Sequence, residues 1–104
     1  MAVFRYTAMD VLRTLEKQSG LLRLIVYLAQ DGEKPLTEVL EETEIPVHQL
    51  YSSIEKAKAM GLVGSRLDSQ GYPARNLIFC TPKGRKVARK LQEIIQIVDS
   101  GRTD

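Results

Sequence analysis

The stretch PLTEVLEETEIPVHQLYSSIEKAKAMGLV, residues 35–63, decides the fold. Thr37 can cap a short helix over Glu38–Thr43, and the early carboxylates of that helix suit the positive end of its dipole. Glu44-Ile45-Pro46 then leaves only a few residues for a turn. A second helix is expected over Val47–Met60, with Leu50, Ile54, Ala57 and Met60 recurring on one side. Gly61 stands just past its end, where left-handed backbone is easiest for glycine. Two short helices joined by so tight a turn form a helix-turn-helix.

On the C-terminal side of this stretch the period changes. Leu62–Leu67 reads as a strand, Asp68–Pro73 is turn-rich, and Asn76–Cys80 is a second strand, together a hairpin with a long tip. Thr81-Pro82 marks a helix start, with Thr81 as N-cap and Pro82 preorganised at the first helical position. That last helix should run to about Asp99. On the N-terminal side, Ala8, Val11, Leu12 and Leu15 give residues 7–18 an amphipathic helical period, with Thr7 as its cap and Asp10 in the capping-box position. Ser19-Gly20 interrupts it. Leu21, Leu22, Leu24, Ile25, Val26 and Leu28 then form an almost wholly apolar helix, the expected centre of the core. Asp31-Gly32 ends that helix, and Pro35 predicts a loop.

The element order is helix, helix, helix-turn-helix, β-hairpin, helix: mainly α with a β-hairpin, an α+β arrangement. At this point Leu21–Ala88 resembles winged helix-turn-helix transcriptional regulators of the MarR and PadR type. The resemblance rests on Leu36-Thr37-Glu38-Val39-Leu40 opening the first motif helix and on Ile45 at the turn. It continues in Met60-Gly61-Leu62-Val63 after the second, and in Thr81-Pro82-Lys83-Gly84 after the hairpin, where the family has LTxxG. Cys80 stands in place of that Leu. The implied organisation is one domain over 1–104. It has an N-terminal helix at 7–18 and a winged-helix core at 21–81. The core contains the helix-turn-helix at 37–60 and the wing at 62–80, and a dimerisation helix follows at 82–99.

The resemblance also implies a role for each surface. The second motif helix of such regulators lies in the major groove of double-stranded DNA, and the wing lies on the backbone or in the minor groove. In this chain the apolar stripe turns His48, Ser52, Glu55 and Ala59 to the opposite face, flanked by Gln49, Tyr51 and Lys56. His48, Gln49 and Ser52 are in the first half of the helix, where bases are reached, and Lys56 is placed for a phosphate. The wing would bring Arg66 and Arg75 on facing strands, with Gln70 and Tyr72 at its tip. Plainer roles compete: His48 as an ordinary surface residue, Tyr51 packing on the scaffold, and Arg66 and Arg75 paired with carboxylates such as Asp68. Cys80 reads as a small buried hydrophobe.

Composition bounds the rest. The 104 residues, 43% hydrophobic and 27% charged, suit one soluble domain. Folding would bury roughly 65% of the unfolded surface. A single Cys fits a reducing compartment and excludes both an intrachain disulfide and a Cys-based metal cluster. With no Trp and 6% aromatics, a base-stacking platform is not expected. The first ten residues have no secretory apolar region, and Leu21–Ala29 is too short for a membrane span, so a cytoplasmic location is expected.

The net charge of +2 averages over an uneven chain. Residues 37–46 carry Glu38, Glu41, Glu42 and Glu44 and no base, a charge of −4. Residues 81–104 carry +3, led by Lys83, Arg85, Lys86, Arg89 and Lys90. Phosphate binding draws on cations, so the acidic first motif helix argues against DNA. It points instead to an alternative, a protein-interaction module that uses the 38–44 surface.

Val87, Leu91, Ile94 and Val98 are spaced four, three, four, the seam of a short coiled coil, and Ile95 widens it. With Val11, Leu12 and Leu15 they predict a homodimer. No cofactor or metal is expected, and no residue pattern marks an effector. Catalysis is not expected either: there is no Cys/His pair, no second His and no phosphate-cradling Gly loop.

Overall fold

The computed structural model describes residues 2–70 and 73–100, with side chains from residue 8 onward apart from Asp31. Its elements are α1 (Ala2–Lys17), α2 (Leu21–Asp31), β1 (Lys34–Pro35), α3 (Leu36–Thr43), α4 (Val47–Ala59), β2 (Val63–Asp68), β3 (Arg75–Cys80) and α5 (Pro82–Ser100). The strands form one antiparallel sheet in the order β1-β3-β2.

The core forms around α2. Leu21, Leu24, Ile25 and Leu28 have no exposed surface, and Val39, Ile45, Leu50, Ile54, Ala57, Leu62, Val63, Ile78, Cys80 and Ala88 close over them. Each fully buried Leu or Ile of this kind contributes about 1.5–3 kcal/mol of transfer free energy. Gly20 opens α2 with φ of 89°, and Gly32 closes it with φ of 81°. Both are conformations that cost glycine nothing. Glu44 adopts φ of 56° between α3 and α4, the one non-glycine residue with positive φ among those described.

Three expectations are corrected. Thr37 does not cap α3: the helix starts one residue before it, at Leu36, with Pro35 in the N-cap position and no side-chain cap. Pro35 holds the cap position with extended backbone, φ of −62° and ψ of 144°, and its fixed φ leads the chain into the helix. Pro35 also lies in β1 and not in a loop, paired with Leu77 while Lys34 pairs with Ile78. Proline is tolerated there because β1 is an edge strand. Finally, α1 begins at Ala2, so Thr7 lies inside the helix rather than at its cap.

Two motifs that are separate in the sequence meet in space. The Thr81 backbone N–H donates to the Leu62 carbonyl at 3.0 Å, and the Thr81 hydroxyl donates to the Gly61 carbonyl at 2.6 Å. The same hydroxyl oxygen accepts from the Gly84 N–H at 3.0 Å, which is the expected N-cap. Lys83 Nζ donates to the Met60 carbonyl at 2.9 Å. A Cβ on Gly84 would lie 2.0 Å from the Leu62 carbonyl oxygen. Glycine there lets α5 press directly on the backbone that leads from α4 into the wing.

Candidate nucleic-acid interface

The first half of α4 presents a mixed polar surface. His48, Tyr51 and Ser52 are exposed and Gln49 is half-buried, while Leu50, Ser53, Ile54 and Ala57 face the core. Tyr51 is 49% exposed, so it does not pack into the scaffold. Glu55 and Lys56 follow on the open side. The surface therefore offers a donor and acceptor set on a helix of 13 residues, long enough to lie along a major groove.

Ser53 is the residue that sequence reasoning missed. It is completely buried. Its hydroxyl donates to the Ser19 carbonyl at 3.0 Å and accepts from Gln18 Nε2 at 3.4 Å. The α1–α2 corner is thereby tied to the inner side of α4. The signal was present: position 53 follows Leu50 by three and so falls inside the apolar stripe.

In the wing, β2 and β3 pair from Val63↔Cys80 to Asp68↔Arg75. Directly opposed residues share a face, so Arg66, Asp68 and Arg75 lie on the same side of the sheet. Both arginines are paired. Arg75 Nη2 lies 3.5 Å from the Asp68 carboxylate. Arg66 donates from Nε and Nη2 to both oxygens of Glu33. The Arg66 hydrogen bond holds the Glu33 carboxyl below its ordinary range, and Glu33 in turn raises the guanidinium of Arg66. Gln70 is exposed near the tip, its backbone N–H donating to Asp68. Tyr72 lies outside the described residues.

The acidic first motif helix is less negative than its sequence. Lys34 Nζ lies 3.8 Å from both Glu38 and Glu42, and the Tyr27 hydroxyl donates to Glu42. Of the four carboxylates, Glu41 and Glu44 have no ion pair among the described residues.

A second surface is apolar and open. Val11 and Leu12 on α1 are exposed, and so are Ile94, Ile95, Ile97 and Val98 on α5, the last four at 53%, 49%, 70% and 62%. Leu15 and Val87 are half-buried against the chain's own core. Leu91, Ile94 and Ile95 form one wall of a groove of about 460 Å³, and Leu22, Val26 and Tyr27 of α2 form the other. The radius of gyration is 15.3 Å, against about 13 Å for a compact domain of this length. Among the described residues no helix is long and apolar enough to cross a membrane.

The arrangement is a winged-helix fold, five helices with a small antiparallel sheet, and it is shared with solved structures described as MarR-family transcriptional regulators. Its overall fold superimposes on a MarR-family regulator from Enterococcus faecalis V583 with a TM-score of 0.75 and 19% identity, covering 94% of this chain and 88% of that one. The reduced form of the transcriptional regulator YodB from Bacillus subtilis matches at 0.70 and 21% identity, over 88% and 87% of the two chains. BpsR of Bordetella bronchiseptica, whose DNA binding is regulated by 6-hydroxynicotinic acid, matches at 0.69 and 17% identity, over 96% and 80%. No protein-family model and no curated protein matches the chain.

Proposed function

We propose that this protein is a homodimeric, sequence-specific double-stranded-DNA-binding regulator of transcription that represses by occupying a promoter. The observation that carries the reading is the solvent-facing polar half of α4 on a MarR-type winged helix. His48, Gln49, Tyr51 and Ser52 read base edges, and Lys56, Arg66 and Arg75 meet phosphates, with Gln70 and Tyr72 at the wing tip.

The dimer is supported by the apolar surface on α1 and α5. Ile94, Ile95 and Val98 on α5 and Val11 and Leu12 on α1 are large apolar side chains left exposed on a small chain, and a partner copy would cover them. A second copy covering them would set two α4 helices on half-sites about 34 Å apart. Two reading heads also compensate for the modest charge of one.

Selection from a randomised duplex library tests this. The expected product is an inverted repeat whose half-sites are about one helical turn apart. Recovery of no enriched sequence would overturn specific binding.

A further inference from the structure

Between the C-terminal half of α1 and the flank of α4 lies an open polar cleft of about 400 Å³, lined by Asp10, Arg13, Thr14, Lys17, Gln18 and Lys56. Three of these six are cations, contributed by two elements, and one is an acid. Asp10 lies 3.8 Å from Arg13 and offsets that charge. Lys17 and Lys56 have no carboxylate partner among the described residues.

The chain path brings these cations together. Arg13 and Lys17 are one turn apart on α1 and share a face. Gln18, next to Lys17, is held by Ser53, and Ser53 is anchored on Ser19. Lys56 follows Ser53 by three residues on α4. The buried serine therefore ties the end of α1 to α4, and Lys17 and Lys56 line the same cleft. Cations of one sign gathered on one surface raise the local concentration of anions.

We propose that this cleft seats a phosphodiester of the duplex that α4 reads, which makes α1 part of the DNA interface. The proposal rests on the DNA-binding reading above. The cleft opens to solvent and shares Lys56 with α4, so its occupant is part of whatever α4 approaches. Lysines act as point charges that follow a backbone without demanding one orientation. The seat also adds to the positive charge of the wing, where Arg66 and Arg75 are each offset by a neighbouring carboxylate.

The test uses the full chain and two labelled duplexes of unrelated mixed sequence, titrated by anisotropy across a salt series. Lys17→Glu should weaken binding to both by about tenfold at moderate salt and lower the log–log salt slope by about one per seat. Lys17→Ala should do the same to a smaller degree, and Lys17→Arg should restore the wild-type curve. Sedimentation should be unchanged in all three, because Lys17 is exposed; melting should be nearly unchanged in Lys17→Ala and Lys17→Arg and slightly lower in Lys17→Glu, which places an anion in the last turn of α1. Wild-type binding with an unaltered Lys17→Glu affinity and slope would overturn the proposal alone, as would a loss confined to one duplex. A wild-type chain that bound neither duplex would overturn the DNA-binding reading along with it.

Discussion

Arg66 and Glu33 form a bidentate pair, with Nη2 donating at 2.9 Å to one carboxylate oxygen and Nε donating to the other. The pair joins the wing to the loop ahead of β1 and uses two of the five N–H donors of the guanidinium. A phosphate arriving at Arg66 must do so beside a fixed negative charge. Glu33→Gln should therefore tighten DNA binding about threefold or more on every sequence, as measured by anisotropy at constant salt. Weaker binding would show instead that Glu33 orients Arg66 for the DNA.

The same pair has a defined pH dependence. Because the folded-state pKa of Glu33 is depressed, mainly by the Arg66 hydrogen bond, the interaction is present above the ordinary carboxylate pKa and lost as pH falls through the folded value. The contrast between wild type and Glu33→Gln should be flat from about pH 6 to 8. It should close only in acid, where protonated Glu33 resembles Gln. A contrast that changed near neutrality would assign the effect to another group.

Gly84→Ala should cost about 3 kcal/mol, because its methyl group would meet the Leu62 carbonyl oxygen and the backbone must move. For a chain of this size that lowers Tm by roughly 10–20 °C in a thermal melt. Thr81→Val removes the cap of α5 and the bond to Gly61, and should cost about 1–2 kcal/mol. A Gly84→Ala protein that melted like wild type would mean that α5 does not press on Leu62.

Cys80 is buried and its thiol donates to the Ile25 carbonyl at 3.4 Å. Burial pushes its pKa up, against a smaller opposing effect of Arg85. In the native protein it should react with a disulfide reagent at least about a hundredfold more slowly than in denaturant, since attack needs an exposed thiolate. Fast labelling of the folded chain would contradict the packing.

Ile94→Glu with Val98→Glu should convert the proposed dimer to a monomer in sedimentation equilibrium while leaving the melt of the core nearly intact. Both side chains are more than half exposed in the single chain, so little of its own packing is lost. DNA affinity should fall by about a hundredfold as the second reading head is lost. An unchanged molecular weight would place the interface elsewhere.

Gln49→Ala should alter which sequences are preferred, while Arg75→Ala weakens binding uniformly. Parallel titrations on several duplexes separate the two. Equal losses on every duplex from both variants would contradict the division between base and phosphate contacts.

The helix-turn-helix and wing were legible because their signals are local: apolar spacing at Leu50, Ile54 and Ala57, Gly61 past a helix end, and Thr81-Pro82 at a helix start. What escaped was set by tertiary contact. Strand β1 has only two residues and exists because β3 offers it an edge. Hydroxyls favour cap positions, which points to Thr37, but the chain already turns at Pro35 and α3 starts at Leu36. The exposed α4 residues followed from the buried stripe, whereas the partners of Arg66 and Lys34 lie far away in sequence or on another element. In the sequence the acidic run has no base within it, whereas in the fold Lys34 of β1 lies against both Glu38 and Glu42.

Duplex DNA binding by the winged-helix surface underlies the proposed function. Its most direct test is fluorescence anisotropy of a labelled duplex titrated with the wild-type protein, repeated across a salt series. Saturable binding whose log K falls linearly with log salt, steeply enough for several phosphate contacts per dimer, is the predicted result. A flat titration at the lowest salt would contradict the account.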